Sequence, residues 1–178
     1  MIDIRKAGLG GLLLLAACSN LPRKAADAVV SRWSAPSADA ARRLLDQYGV
    51  PDDASVNNLA WNGNGPWRRT VVRNRPRVYR SPRDFDLVVQ TVKYPLTREQ
   101  AAELIAFSPA LTVDVDRGEL SSAASREEVN CLNLNLADEV ARGRKSIAEA
   151  QAAYVRTLDL AAAGKSSPYM SELRFPGK

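Results

Sequence analysis

Seven arginines stand close together in the middle of this chain, and guanidinium groups suit the binding of phosphate and carboxylate. No acidic residue lies between Ala54 and Arg83. The arginines of this run are Arg68, Arg69, Arg73, Arg75, Arg77, Arg80 and Arg83. A guanidinium is planar and offers paired N–H donors, so it binds such anions through two hydrogen bonds. Because alternate side chains of an extended segment share a face, Arg73, Arg75 and Arg77 are predicted to lie side by side.

Two tryptophans flank the run, and tryptophan is a residue that favours interfaces. The predicted surface for an anionic partner therefore consists of Arg68, Arg69, Arg73, Arg75, Arg77, Arg80, Trp61 and Trp67. The alternative interpretation is a solvated edge strand, because charged side chains and a proline such as Pro76 keep a sheet edge from pairing with another chain.

Acid/base chemistry would need paired carboxylates, as in enzymes that cleave glycans. The candidates Glu99, Glu103, Glu127 and Glu128 lie in or next to the first turns of predicted helices, where the helix dipole stabilises acids without any catalytic role. The chain has no histidine, which excludes Ser-His-Asp and Cys-His catalysis and the usual histidine-bearing zinc sites. We therefore expect that the protein is not an enzyme and has no catalytic residue. The alternative is a carboxylate-dependent hydrolase that acts on cell-wall glycan or lipid.

A second acidic pattern, Asp114-Val115-Asp116-Arg117-Gly118-Glu119, places alternating acids beside a glycine turn. Calcium loops combine such features. The EF-hand spacing fails, however, because Arg117 stands before the glycine and no glutamate follows at the required distance. A plain hairpin turn is the better prediction, with no metal and no other cofactor.

The first eighteen residues are typical of an export signal. Arg5 and Lys6 form a basic start, an uncharged run follows from Ala7 to Ala17, and small residues precede Cys18. An uncleaved membrane helix is the alternative, but eleven residues span only about 16 Å of the roughly 30 Å of hydrocarbon. We find no second apolar run long enough to span a membrane.

The ending Leu15-Ala16-Ala17-Cys18 resembles the lipobox of bacterial lipoproteins. That resemblance implies cleavage after Ala17, a diacylglycerol thioether on the Cys18 sulfur and a fatty acyl group on its new amino terminus. Ser19 is not aspartate, which in diderm bacteria favours sorting to the outer membrane, facing the periplasm. The partners then include the membrane itself and exclude nucleic acid, although the net charge is +5.

The second of the two cysteines, Cys131, has no partner left once Cys18 carries lipid, so no internal disulfide is expected. A small buried residue is the default role for such a cysteine, and a reactive or intermolecular thiol is the alternative.

The chain divides into three predicted parts. Residues 1–17 are a lipoprotein signal peptide, 18–36 are the lipidated N-terminus and a tether that includes a short helix over 24–33, and 37–178 are a single α+β periplasmic domain. That length is enough for one domain with a sizeable core.

Hydrophobic spacing and turn residues predict the elements of this domain. We expect a helix over 38–48 with Ser37 as its N-cap, a β-hairpin around the turn at 62–65, and a central strand over 86–94. In the second half we expect a short hairpin over 111–121 and helices that begin at three capping boxes, at Thr97, Ser125 and Ser146. A three-residue linker between the last two helices predicts an αα-hairpin with Tyr154 and Leu158 packed on Leu132 and Leu136.

This order predicts an α+β fold, with a small antiparallel sheet, helices packed on one side and a C-terminal αα-hairpin. The opening helix, the Gly-Val-Pro that follows and the tryptophan-bearing hairpin loosely resemble small periplasmic lipoproteins that assist outer-membrane assembly, over about 35 residues. We therefore expect a non-enzymatic, lipid-anchored envelope protein that acts as a binding or structural accessory and contacts anionic envelope material or a protein partner.

Overall fold

A six-stranded antiparallel sheet is the frame of the protein in this computed structural model, which describes residues 20–75 and 86–176. The strands are β1 Asp53–Ala54, β2 Asn58–Asn62, β3 Arg69–Arg73, β4 Val88–Lys93, β5 Leu111–Asp114 and β6 Glu119–Ala124. Their order across the sheet is β1-β2-β3-β4-β6-β5. The two predicted hairpins, β2–β3 and β5–β6, are therefore confirmed, and so is the central position of β4.

Six helices accompany the sheet in the described part of the chain. They are α1 Asn20–Val30, α2 Ala35–Tyr48, α3 Arg98–Phe107, α4 Glu127–Ala141, α5 Ile147–Ala162 and α6 Pro168–Ser171. The α+β class is thus confirmed. Helix α2 packs on β3, α4 packs on β6 and β4, and α3, α5 and α6 pack on α4.

The burial of alternate strand residues shows which face of the sheet the helices cover. In β4, Val88, Gln90 and Val92 are buried, whereas Val89 and Thr91 between them are only partly buried. The register places Val88 opposite Ala124 and Val72, so the buried residues of neighbouring strands share this side. Since side chains alternate along a strand, one face of the sheet is the floor of the core and the other is left free of the described helices.

Two hydrophobic clusters fill the space between the sheet and the helices. The larger one surrounds α4 and includes Leu104, Leu120 and Leu132. The smaller one joins α1 and α2 to β2 and β3 and includes Leu45 and Val72. The ring of Tyr48, at the end of α2, packs against both clusters.

Helix boundaries follow from their caps. The capping boxes at Thr97 and Ser146 are confirmed: each hydroxyl accepts the N–H of the residue three positions on, and that residue's side chain accepts the cap N–H. The box predicted at Ser125 is wrong, because α4 begins after Arg126 without a side-chain cap. The carboxylate of Glu127 turns instead toward Tyr48 and Gln90.

Helix α2 begins earlier than the sequence predicts. Its N-cap is Ser34 rather than Ser37, and Pro36 lies in the first turn. A proline fits there because the first helical N–H groups have no partner within the helix. Ser37 is buried, and its hydroxyl oxygen accepts the Ser34 hydroxyl at 2.9 Å and the Arg75 N–H at 3.1 Å.

The stretch predicted as a tether is folded from Asn20 onward. Helix α1 covers residues 20–30, a range that overlaps the short helix predicted over 24–33. Ala26, Val30 and Trp33 are buried in the smaller cluster. Arg23 at the start of α1 also donates to the Leu45 carbonyl at 2.6 Å and forms an ion pair with Asp46 at 2.7 Å. This part of the chain therefore packs with the domain.

The C-terminal helices α4 and α5 lie next to each other in sequence and contact each other, and α5 also contacts α3. Tyr154 and Leu158 pack against the larger cluster. The αα-hairpin as such stays a prediction. Cys131 on α4 is buried, as expected for a small core residue. Burial, together with the charges of nearby glutamates, raises the pKa of its thiol to about 12, so the thiol is protonated at neutral pH.

Among the residues described, no helix combines the length and apolar character needed to span a bilayer.

Removing a leucine from the larger cluster tests the packing. Leu136 is 1% exposed on α4, whereas Leu160 on α5 is 37% exposed. We expect Leu136→Ala to lower the free energy of unfolding by about 2–5 kcal/mol, the range for deleting a buried leucine side chain. The matched change Leu160→Ala should cost far less in the same urea titration. Equal losses for both variants would contradict the packing.

Candidate functional site

The helix-free face of the sheet, which we call the open face, carries two arginines of the central run. Its residues in the four strands from β3 to β5 are Arg69, Val71, Arg73, Val89, Thr91, Lys93, Glu119, Ser121, Ala123, Thr112 and Asp114. Arg69, Arg73, Lys93 and Thr112 are exposed. The open face is therefore a solvent-facing surface with cationic groups on two neighbouring strands.

The position of β3 overturns the edge-strand interpretation for this part of the run. Strand β3 pairs with β2 on one side and with β4 on the other, and the edges of the sheet are β1 and β5. A charge protects a sheet edge only where backbone groups are unpaired. Arg69 and Arg73 thus lie within the sheet, where edge protection does not explain them.

Neither of these two arginines is engaged within the described residues. The side chains of Arg69 and Arg73 form no hydrogen bond and no ion pair there, in contrast with Arg68, whose Nε lies 2.5 Å from Glu119 Oε1. Arg73 follows Arg69 by four positions along the strand, a distance of about 13 Å. Between the positions of these two arginines, a small apolar row crosses the sheet. It consists of the partly buried residues Val71, Val89 and Ala123.

Hydroxyl groups continue from Arg69 across the sheet. Arg69 lies opposite Thr91, Thr91 opposite Ser121, and Ser121 opposite Thr112. The hydroxyls of Thr91 and Ser121 are 2.8 Å apart and share a hydrogen bond. This row gives the open face donors and acceptors beside its guanidinium groups.

A cleft of about 750 Å³ opens where the open face meets the loop between β2 and β3. Its lining is Asn62, Gly63, Gly65, Pro66, Trp67, Arg68, Arg69, Thr91, Lys93, Arg117 and Glu119. Lys93 Nζ donates to the Arg117 carbonyl at 2.6 Å, which joins β4 to the β5–β6 turn. The lining thus brings together four cationic side chains and a single carboxylate.

The loop beside this cleft depends on its glycines. Gly63 and Gly65 have φ angles of 61° and 65°, a backbone region that other residues rarely adopt. The Gly63 N–H donates to the Arg68 carbonyl at 3.0 Å and closes the hairpin. The turn therefore fixes Arg68 and Arg69 relative to the rest of the cleft.

The predicted tryptophans do not belong to the surface. Trp61 is 3% exposed and Trp67 is 1% exposed. The indole N–H of Trp61 donates to the Gly49 carbonyl and that of Trp67 donates to the Tyr48 hydroxyl, both at 3.1 Å. Both rings pack in the core beneath the sheet, so their assignment to a partner surface is wrong. Trp61 lies two positions after buried Leu59 on β2, which is the periodic signal that places it on the inner side.

The remaining predicted residues divide into two groups. Arg75 is exposed just after β3, and its backbone is held by hydrogen bonds with Ser34 and Ser37. Cys18, Arg77, Arg80 and Arg83 lie outside the described residues.

Two of the four candidate carboxylates, Glu99 and Glu127, take part in structural hydrogen bonds. Glu99 lies in the first turn of α3, where a backbone hydrogen bond and the Thr97 hydroxyl lower its pKa. Glu127 accepts hydrogen bonds from the Tyr48 hydroxyl and from Gln90 Nε2, the latter at 2.5 Å. Burial and this carboxylate raise the pKa of the Tyr48 hydroxyl well above its usual range. Glu103 and Glu128 are exposed.

The predicted hairpin turn at 114–119 is built by its own aspartate. Asp114 Oδ1 accepts the Arg117 N–H at 2.9 Å, and Gly118 has a φ of 60°. In 20–75 and 86–176, no cluster of three or more aspartate, glutamate or cysteine residues is placed to hold a metal ion.

The sequence analysis did not predict Lys93, Thr91 and Ser121 as site residues, and it considered Glu119 only as part of the calcium-loop pattern. Each is an ordinary strand residue in sequence, and only the pairing of β3 with β4 and of β4 with β6 brings them beside Arg69. The visible signal was the alternation in β4, which places Val89, Thr91 and Lys93 on one side.

Comparisons with protein-family models, with curated proteins and with solved structures found no match for this chain.

Tryptophan fluorescence tests the burial of the rings. All three tryptophans of the chain, Trp33, Trp61 and Trp67, are buried. Because iodide is charged and cannot enter the core, we expect its quenching of native fluorescence to be several-fold weaker than that of the urea-unfolded chain. A native Stern–Volmer slope close to the unfolded slope would mean that the rings are at the surface.

Proposed function

We propose that this protein is a non-enzymatic, lipid-anchored accessory of the bacterial envelope that binds an anionic partner on its open face. The observation that carries the proposal is the pair Arg69 and Arg73, which lie exposed on an interior strand without an ionic partner in the described part of the chain. Guanidinium groups in that situation are available for phosphate or carboxylate. The partner classes are anionic envelope lipids and polymers, or an acidic protein surface.

The anchor in this proposal is Cys18 with its diacylglycerol and fatty acyl groups, and the location is the periplasmic side of the outer membrane. Its support is the lipobox resemblance together with the fold. Only one residue separates Cys18 from the start of α1, and α1 packs against α2. A lipid at that position would hold the domain close to the bilayer surface.

Binding is favoured over hydrolysis because the carboxylates of the open face are engaged or far apart. Asp114, opposite Glu119 in the β5–β6 ladder, accepts the Arg117 N–H at 2.9 Å and pairs with the Arg117 guanidinium at 3.7 Å. The carboxylates near its clefts are Asp53 on β1 and Glu119 on β6. Four inter-strand spacings separate these strands, about 19 Å across the sheet. Glycoside hydrolysis by a carboxylate pair needs about 5–9.5 Å between the two groups. Glu119 is also neutralised by Arg68 at 2.5 Å.

The anchor is tested by replacing Cys18 with alanine. We expect Cys18→Ala to abolish incorporation of radiolabelled palmitate and to release the protein from the membrane fraction, because the thiol is the attachment point in the lipobox resemblance. Ser19→Ala is the matched control and should keep both the label and the membrane location. Labelled, membrane-bound Cys18→Ala protein would contradict the anchor.

The open face is tested with the double change Arg69→Gln and Arg73→Gln. The measurement is co-sedimentation of the detergent-solubilised protein with lipopolysaccharide, with peptidoglycan and with liposomes. For the liposomes, binding to zwitterionic vesicles measures the contribution of the lipid anchor. This value is subtracted from the binding to anionic vesicles. We expect the double variant to lose most binding, and wild-type binding to weaken at high salt as the Debye length falls from about 10 Å at 0.1 M to about 3 Å at 1 M.

The matched control changes Arg98 and Arg156 to glutamine, since both are exposed on helices away from the open face. This control removes the same charge and should bind like wild type. Surface changes of this kind shift stability by only about 0.5 kcal/mol, so all variants should remain folded. If wild type binds none of the materials, or if both double variants lose binding equally, the open face is not the partner surface.

A further inference from the structure

The cleft at the end of the open face has the composition of an anion site. Arg68, Arg69, Lys93 and Arg117 line it, and Glu119 is the single acid among its lining residues. Arg68 is paired with that glutamate, whereas Arg69 has no ionic partner among the described residues. Arg117 pairs with Asp114 at 3.7 Å, so the excess positive charge of the cleft comes from Arg69 and Lys93, which form no ion pair among the described residues.

Three neighbouring residues with donor groups line one part of this cleft. Arg69 lies directly opposite Thr91 in the ladder between β3 and β4, so their Cα atoms are about 5 Å apart. Lys93 follows Thr91 by two residues on the same face, about 7 Å along the strand. Arg69 and Lys93 thus flank Thr91 on the open face. The Thr91 hydroxyl shares a hydrogen bond with Ser121, and the Lys93 ammonium keeps two N–H groups beyond the one given to the Arg117 carbonyl. This arrangement suits a tetrahedral phosphate, whose oxygens point in several directions, better than a flat carboxylate.

The cleft is larger than a phosphate group. Its volume of about 750 Å³ lies in the range of about 300–1,000 Å³ that is usual for small-molecule sites. Beside the donors, the exposed Asn62 amide and the Glu119 carboxylate offer hydrogen bonds to hydroxyl groups. The remaining volume therefore fits a polar, hydroxyl-bearing group attached to the phosphate.

We propose that this cleft binds a phosphorylated sugar, with the phosphate held by Arg69, Thr91 and Lys93 and the sugar lying toward Asn62 and Glu119. The inference rests on the proposed function, because it assigns a ligand class to one end of the open face. The ligand is either the head group of a surface glycolipid or a soluble sugar phosphate, and both share this chemistry.

Glu119 sets the affinity of the cleft in this proposal. Its carboxylate repels an incoming phosphate and engages Arg68, so removal of its charge frees a second guanidinium. Glu119→Gln should then tighten phosphate binding several-fold. If Glu119 had only a structural role, no gain in phosphate affinity would be expected, so this variant separates a structural role from an electrostatic one.

The experiment titrates the full-length, detergent-solubilised protein calorimetrically at low salt with glucose 1-phosphate, glucuronate and glucose. Glucose 1-phosphate should bind, glucuronate should bind more weakly and glucose should not bind. Arg69→Gln and Lys93→Gln should each weaken glucose 1-phosphate binding about tenfold, the effect of losing one hydrogen bond to a charged group. Amide shifts in the nuclear magnetic resonance spectrum of wild type should centre on Thr91 and Lys93.

Arg73→Gln is the internal control, because Arg73 lies on the open face but does not line this cleft. It should leave glucose 1-phosphate binding unchanged while weakening binding to envelope material, which distinguishes failure of this inference from failure of the proposed function. Competition identifies the source of the ligand: displacement of lipopolysaccharide by glucose 1-phosphate indicates a lipid head group, and binding without displacement indicates a soluble ligand. The inference is overturned if wild type does not bind glucose 1-phosphate, or if Arg69→Gln and Lys93→Gln bind it as wild type does.

Discussion

The fold depends on a cluster of hydrogen bonds where the two hydrophobic clusters meet. Gln90 on β4 donates to Thr70 on β3 and to Glu127 on α4, while Asn130 donates to the Val88 carbonyl and to Gln90 Oε1. Tyr48 adds α2 to the same carboxylate. Gln90 and Asn130 are completely buried, and a buried polar group left without its partner costs about 1–3 kcal/mol. These bonds hold α2 and α4 over one face of the sheet, and the other face is open as a result.

Local patterns predicted much of this frame. The capping residues Thr97 and Ser146, the alternation in β4 and the glycine turn at 62–65 each act within a few residues, so the sequence shows them directly. The failure at Ser125 has a long-range cause, since Glu127, which would complete the box, is used by Tyr48 and Gln90 from other elements. Strand order is also long-range, and for that reason β3 could be interpreted as an edge when it is interior.

The arginines of the central run have different surroundings in the structure. Arg68 is paired with Glu119 at the cleft, Arg69 and Arg73 stand on the open face without such a pair in the described chain, and the backbone of Arg75 is held by Ser34 and Ser37. The sequence predicted a basic surface but included two tryptophans that the core requires. Their burial follows from the inward positions around Leu59 and from the indole hydrogen bonds to Gly49 and Tyr48, which no count of nearby arginines reveals.

Because β3 is an interior strand with one covered face and one open face, its alternate side chains are constrained in two different ways. Thr70 and Val72 point to the core, where neighbouring side chains restrict what can replace them. Arg69, Val71 and Arg73 point the other way, where a change of side chain alters no contact in that core. Residues of the open face can therefore change one by one while the fold stays the same. Sequences that share this sheet would then agree at their inner positions and differ on the open face.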